Sequence, residues 1–593
     1  MKEETKTCQN CKKEFQIEQE DFKFYEKIKV PPPTFCPECR MQRRLAWRNE
    51  RFLYRKPDAN TGEIIFSAFP SESEIKTVSQ EFWSSDKFDA MQYGRSYDFS
   101  KPFFEQFHDL MKSVLWPSRW VVNAVNSDYI INTNDAKDCY LVMSSSYVNN
   151  CAYSVWIRNT EDSMDLYNVA KSSLCYESTL SHTCSRVFFS TRCESSRSLF
   201  FCRDMVGCND CFGCANLRNK SYCIFNEQFS KEEYEKKIAS FNLSSFAQIE
   251  EMRRKVSEFW NHFPVKYVSG RQNLNTSGEY IYNSKNVLES YNVQQGEGLR
   301  YCQHILQGPA KDSYDYSNWG ENAERMYESI LCGLNISDCK FCVWCWSNVM
   351  DLRYCMDCRN SSNLFGCIGL SGKQYCILNK QYSKEEYDSF VQKIITQMDE
   401  MPYKDKAGLT YKYGEFYPIE ISPSPYNEVL AEEYFPLKEE EAKKRGYFWR
   451  DNEVRDYKIT IEAENLPDNI SDIGDSILNE VIGCAHKDKC EDGCAEAFKL
   501  VSKELEFYRR FNIPLPRLCF SCRHVRRLGQ RNTPKLYRRQ CQCAGVKSDN
   551  VFYSNTIEHG HKENHCPNEF ETSYALERPE IVYCEQCYLK EVV

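Results

Sequence analysis

Histidine is scarce in this 593-residue chain, with 9 copies, and the familiar catalytic signatures are missing. There is no G-x-x-x-x-G-K-[ST], no G-x-S-x-G, no H-E-x-x-H and no dinucleotide fingerprint. No run of 18 apolar residues occurs, so no membrane-spanning helix is expected. The opening MKEETKTCQNC carries no basic-then-apolar leader, which predicts a cytoplasmic protein with no membrane partner. A general basic coat for nucleic acid is also lacking, because the net charge is −9. What is abundant is cysteine. Without an export leader, 33 cysteines read as thiols or metal ligands, and an odd total prevents complete pairing within one chain. Hydrophobic residues make up 41%, enough for real cores, and the length predicts about three to five folded units.

Fourteen cysteines lie at the two ends, and the other 19 lie between Cys139 and Cys376. The end cysteines come as C-x-x-C pairs in polar, Pro-flanked turns. Cys8-x2-Cys11 and Cys36-x2-Cys39 together supply four thiolates, the set that closes a tetrahedral structural zinc site. The module recurs near the C-terminus at a constant offset of 483 across 45 residues. Cys494 matches Cys11, Phe507-Tyr508 match Phe24-Tyr25, Cys519 and Cys522 match Cys36 and Cys39, and Leu536-Tyr537-Arg538 match Leu53-Tyr54-Arg55. Glu491 stands where Cys8 would, so the neighbouring Cys490 is the expected ligand beside Cys494, Cys519 and Cys522, with Cys484 and His486 as spare candidates. A more degenerate third copy supplies Cys566, Cys584 and Cys587, with Glu563 at the Cys8 position. Its fourth ligand must come from Cys541, Cys543, His559, His561 or His565, and Cys543 is favoured. About three structural Zn2+ sites are therefore expected.

The pattern C-x2-C-x3-F…FY…P-x-x-C-x2-C-R-x2-R resembles the zinc-ribbon domain family of bacterial proteins. The resemblance covers about 45 residues twice and implies a zinc-binding β-ribbon, with no activity attached. The whole chain also resembles an uncharacterised cysteine-rich protein group of small-genome bacteria.

The middle is duplicated as well. Tyr129, Cys151 and Tyr176-Glu177-Ser178 recur 151 residues on, while Cys202, Phe212-Gly213-Cys214 and Tyr222-Cys223-Ile224 recur 153 residues on. A two-residue insertion is thus expected between 330 and 354. Within a copy, Cys139, Cys151, Ser163 and Cys175 are 12 apart, and Cys184, Cys193 and Cys202 follow at steps of 9. Each beat joins turn residues to a short β-prone run, which predicts a parallel β-solenoid with about 18–24 residues per coil and Cys and Ser stacked inward in columns. The triplets Cys208-Cys211-Cys214 and Cys339-Cys342-Cys345 have metal-like spacing. Cys208 and Cys211 become Ser361 and Leu364 in the second copy, however, so packing is the expected role. Capping boxes at Ser230/Glu233 and Ser383/Glu386 predict a helix closing each copy, with a further helix at 247–262.

The predicted fold is therefore mainly β: a duplicated parallel β-solenoid centre with capping helices, flanked by zinc ribbons. The expected segments are ribbon one at 1–58, a connecting segment at 59–125, solenoid copies at 126–228 and 266–381, and caps at 229–265 and 382–400. A Pro-rich acidic linker follows at 401–483, then ribbon two at 484–540 and ribbon three at 541–593. Seven basic residues against Glu38 and Glu50 give +5 over 36–56, and eight with no acid give +8 over 517–539. Arg40, Arg43, Arg44, Arg48, Arg523, Arg526, Arg527 and Arg531 are the candidate phosphate-gripping edge. The expected function is a non-enzymatic nucleic-acid binder, with RNA the favoured form. The alternative is a protein-interaction scaffold, whether for a partner or for a second copy, in which the ribbons staple the ends to the solenoid. A third, weaker reading is a β-helix enzyme acting on polysaccharide through Asp162, Asp165, Glu177 or Glu328.

Overall fold

From Asn123 to Phe225 every third residue is left-handed, with φ between 47° and 69°. Two extended residues and one left-handed corner make a straight side of three residues, and four sides make a turn. Parallel pairing at i and i+12 completes the coil, as in Val121↔Thr133, Ala152↔Tyr140 and Leu199↔Cys211. Asn and Asp tolerate the left-handed corner best, and they occupy it at Asn123, Asn126, Asn132, Asp135 and Asp138. The computed structural model describes residues 3–451, 458–487, 490 and 493–592, with 33% strand, 22% helix and a solenoid of about 21 turns. The predicted solenoid class holds. The coil length does not: the 12-residue beat is a whole turn, because each side is shorter than an ordinary strand.

The residue after each corner points into the lumen. These positions hold Cys139, Cys151, Cys175, Cys184, Cys193, Cys202 and their neighbours, all buried together. A coil this narrow admits only small or slim side chains, and its corners interrupt the backbone ladder. Serine and cysteine answer both demands. The Ser145 hydroxyl donates to the Met143 carbonyl (2.7 Å) and accepts the Ile157 N–H (3.1 Å). Ser154, Ser172, Ser181, Ser190 and Ser196 repeat the motif. Inward cysteines donate in the same sense, Cys151 to the Asn149 carbonyl at 3.3 Å and Cys175 to that of Ser173 at 3.2 Å.

The chain divides into two units, the first comprising residues 1–120, 268–451 and 534–536, the second 121–267, 452–533 and 537–593. Unit one contains the second solenoid copy together with the first cysteine module. Its coils vary in length. The pairings Tyr327↔Lys340 and Lys340↔Arg353 are 13 residues apart, where two consecutive left-handed residues, Leu334-Asn335 and Ser347-Asn348, widen a corner. These two longer coils account for the expected two-residue insertion. Unit two contains the first copy and the other two modules. Each copy ends in an antiparallel return strand and a capped helix, Lys231–Ile238 after Ser230 and Lys384–Glu400 after Ser383. The further helix spans Phe246–Trp260. Tyr234 and Tyr387 pack on Tyr222 and Tyr375 of the last turns.

The segment expected to be a linker supplies core residues to both units. Tyr411, Phe416, Tyr417 and Tyr426 are buried in unit one, and Leu466, Ile470, Ile473 and Ile477 join an apolar cluster in unit two. Extended chain and 3-10 turns carry these residues, so they lack the periodicity that marks a helix or strand in sequence. The connecting segment likewise supplies a buried helix, Phe103–Ser113, whose Phe103 ring lies 5.0 Å from that of Tyr354.

Asp357, on the second solenoid copy, is 1% exposed, and burial pushes its carboxyl from 3.8 up to about 7. The fold therefore favours the neutral acid. Stability of unit one should be greatest below pH 3.8 with respect to this group and decline as pH rises towards 7. Asp357→Asn should flatten that decline and raise stability at pH 8 by a few kcal/mol, on the order expected for such a shift. Denaturant melts of both proteins from pH 4 to pH 8 provide the measurement.

Candidate metal centres and the buried arginine helices

Each terminal module begins with a β-pairing and ends with a helix. In the first, the hairpin Glu4–Thr7/Glu14–Ile17 is followed by helix Gln19–Ile28, closed by left-handed Lys29, and by helix Pro37–Leu45 with Cys36 as N-cap. In the second, the pair Ile482–Gly483/Ala497–Phe498 precedes helix Ser502–Phe511, closed by left-handed Asn512, and helix Phe520–Leu528 with Cys519 as N-cap. In the third, strands Tyr537–Gln540 and Glu569–Thr572 precede Cys584 and helix Glu585–Val592. The last cysteine pair of every module thus opens a helix rather than a second β-turn. The positive helix end favours thiolates there.

Three cysteine tetrads could hold metal ions: Cys8, Cys11, Cys36 and Cys39; Cys484, Cys494, Cys519 and Cys522; and Cys541, Cys566, Cys584 and Cys587. The sulfurs of each lie within 4.8 Å of one another. Individual separations are 3.7 Å for Cys11–Cys36, 3.5 Å for Cys519–Cys522 and 3.7 Å for Cys566–Cys587. Four sulfurs bound to one zinc stand about 3.8 Å apart, whereas a disulfide needs about 2.0 Å. All the cysteines are free thiols. In every tetrad one thiol is held far below the usual thiol range by hydrogen bonding within the cluster, Cys8 by Cys36, Cys519 by Cys484 and Cys584 by Cys541. The neighbouring thiols Cys36, Cys522 and Cys587 are pushed up, and a soft or borderline cation would take all four sulfurs as thiolates.

Two expected ligands are replaced. Cys484, not Cys490, completes the second tetrad, because the pairing of Ile482–Gly483 with Ala497–Phe498 delivers Cys484 to the site. Cys490 lies beside it in a three-member group with His486 and Cys522. Glu491, aligned with Cys8, lies outside the described residues. Cys541, not Cys543, completes the third tetrad. Its sulfur accepts the Cys584 N–H at 3.2 Å, as the Cys8 sulfur accepts that of Cys36 at 3.3 Å. Among the described residues, no cysteine of the solenoid enters such a group.

The arginines do not form an exposed edge. Arg40, Arg43 and Arg44 follow the second cysteine pair at helical spacing and turn inward, each at most 1% exposed. Arg44 donates to Asp315 at 2.9 Å and Glu328 at 3.0 Å, Arg43 to Glu328 at 2.5 Å and Glu415 at 2.9 Å, and Arg40 to Asp315 at 2.9 Å. Unit two repeats the arrangement. Arg527 meets Asp165 at 2.7 Å, Arg526 meets Glu177 at 2.6 Å, and Arg523 meets Asp165 at 3.3 Å and Glu504 at 3.4 Å. Aromatic contacts are duplicated too: Tyr25 packs on Tyr327, and Tyr508 on Tyr176. Arg48 is buried against Glu50 at 2.7 Å, and Arg531 donates to the Tyr167 hydroxyl at 2.8 Å. Burial against opposed charges commits Arg40, Arg43, Arg44, Arg48, Arg523 and Arg527 to the fold, while Arg526 is a third exposed and Arg531 half-buried.

The carboxylates considered for polysaccharide cleavage are the counter-ions of these arginines: Asp165, Glu177 and Glu328. Asp162 accepts from Asn150 in a surface ladder at 2.7 Å. A cavity of about 350 Å³ in unit two is lined by Glu177, Glu250, His486, four arginines including Arg253 and Arg526, and otherwise by largely apolar side chains. Both of its acids are paired with arginine, Glu177 to Arg253 at 2.8 Å and Glu250 to Arg253 at 3.0 Å. Among the described residues no helix is long and apolar enough to cross a membrane.

No family model and no curated protein matches the chain. Among solved structures, a crystal structure from Desulfovibrio desulfuricans G20 described as a candidate acetyltransferase aligns over 41% of this chain and 62% of its own. Its identity is 12% and its TM-score 0.10, too low to bear on fold or chemistry.

Proposed function

We propose that the protein is a zinc-stapled β-solenoid scaffold for protein partners, with no catalytic centre of its own. One observation carries this reading. In both units the helix that begins at a cysteine tetrad lays its arginines on solenoid carboxylates, so the metal module acts as a clamp on the solenoid. Zinc fits the all-cysteine donor sets, and a four-sulfur site closed by protein ligands is of the structural kind. The nucleic-acid reading rested on those arginines as an open phosphate-binding edge, and their burial removes its chief support.

Titration of a labelled mixed-sequence RNA, and of duplex DNA, at low and moderate salt separates the two readings. The scaffold predicts no complex with the steep salt dependence of phosphate contacts. It also predicts that affinity capture with the full chain, after nuclease treatment and at high salt, returns a protein partner in stoichiometric amount. A salt-sensitive nucleic-acid complex weakened by Arg531→Ala would overturn it.

A further inference from the structure

Cys587 belongs to two ligand groups. One is the tetrad with Cys541, Cys566 and Cys584; the other joins it to Cys543, His559 and His561, again with all ligand atoms within 4.8 Å. We propose that the third module holds two zinc ions bridged by the Cys587 thiolate. From the preceding reading this takes only that zinc occupies the tetrads.

The two histidines are oriented as metal ligands are. His559 is 3% exposed, and its Nε2–H donates to Glu591 Oε1 at 2.9 Å. Its Nδ1 lone pair then faces Cys543 Sγ, 3.7 Å away. His561 is turned the other way round. Its Nδ1–H donates to the Asn564 carbonyl at 2.6 Å, and its Nε2 faces Cys587 Sγ at 3.4 Å. Each ring thus places its proton outward on a fixed acceptor and its lone pair inward, which is the arrangement that fixes tautomer and aim at a metal site. Glu591 is itself held by the Thr556 N–H and hydroxyl at 2.8 Å and the Tyr553 hydroxyl at 2.9 Å. His565, the third histidine of the cluster, lies 3.7 Å from Asp549 and is not part of the group.

The ligand inventory also closes. Two four-ligand groups sharing one member make seven ligands, five thiolates and two neutral imidazoles. Against two dications they leave one net negative charge. N–H donors meet the sulfurs on both sides, Asn555 Nδ2 at 3.1 Å from Cys543 Sγ and Asn568 Nδ2 at 3.4 Å from Cys584 Sγ. By contrast, the group His486, Cys490 and Cys522 offers three ligands among the described residues.

The full chain, produced in zinc-supplied cells, is assayed by elemental analysis and protein concentration, alongside His559→Ala/His561→Ala and Cys587→Ser. The double variant is expected to carry one zinc fewer than the unmodified chain with its far-ultraviolet spectrum retained, and Cys587→Ser two fewer. In chain loaded with cadmium-113, two resonances should show scalar coupling to each other through the shared sulfur. A double variant with undiminished zinc, or cadmium resonances without mutual coupling, overturns the bridged pair while leaving the three tetrads standing. Chain devoid of zinc overturns both readings.

Discussion

Exhaustive chelation of the purified chain should strip the terminal modules of their structure and leave the solenoid turns folded. Each module is small, and its helices and β-pairings meet at a cysteine tetrad. Metal binding in such sites is folding free energy, on the order of 10–16 kcal/mol per structural zinc. Without the ion, helix Pro37–Leu45 loses the constraint on its N-cap Cys36, and with it the placement of Arg40, Arg43 and Arg44. Among the described residues, no solenoid cysteine joins a candidate metal group. The solenoid lumen is closed by serine hydroxyls such as that of Ser145, by cysteine thiols and by parallel backbone ladders. Hydrogen exchange before and after chelation provides the readout. Amides of 37–45, 520–528 and 585–592 should lose at least about a thousandfold of protection, the equivalent of about 4 kcal/mol, while those of 185–224 keep theirs. Undiminished protection of the three helices in metal-free protein would refute the role assigned to the tetrads.

Much of this architecture was legible in the residues, for physical reasons. A cysteine or serine every 12 positions is hard to explain except by stacking, and Ser163 and Cys175 do occupy one inward column. A constant offset of 483 without gaps required two modules of one shape, and Lys29 and Asn512 duly share the same left-handed cap. Capping boxes are local, so Ser230 and Ser383 announced their helices directly. Coil length was misjudged because ordinary strands run five or six residues, whereas left-handed corners here turn the chain every three. The direction of the arginines was not legible at all. C-x2-C-R-x2-R-R reads the same whether the helix faces solvent or a carboxylate, and the carboxylates facing Arg43 and Arg44 lie far away in sequence, at Asp315, Glu328 and Glu415. Cys484 ranked only as a spare candidate because the alignment pointed to Glu491 and its neighbour Cys490, while the ligand arrives through a two-residue β-pairing too short to signal itself.

Arg44→Ala should destabilise unit one by about 3–5 kcal/mol, the usual cost of removing one partner from a buried ion pair, and Arg527→Ala should do the same to unit two. Arg44 is wholly buried and touches Asp315, Glu328, the Ser317 hydroxyl at 3.1 Å and the Gln303 side chain at 3.3 Å. Truncation leaves two carboxylates in a low-dielectric interior, with Arg40 and Arg43 as their remaining cations. Arg527 is the counterpart, on Asp165 and on the Tyr153 carbonyl at 3.3 Å. For units of this size the melting temperature should fall by roughly 10 °C. Partial rescue is expected from Arg44→Met with Glu328→Gln, because Arg40 then keeps Asp315, Arg43 keeps Glu415, and the uncompensated charge that the single change creates is removed. Arginines on an open nucleic-acid edge would behave differently: Arg44→Ala would leave the melting temperature within about 1 °C, since exposed pairs contribute little. Calorimetry of the two single variants and the double variant therefore discriminates a clamp from an edge, and an unshifted transition in both single variants would refute the clamp.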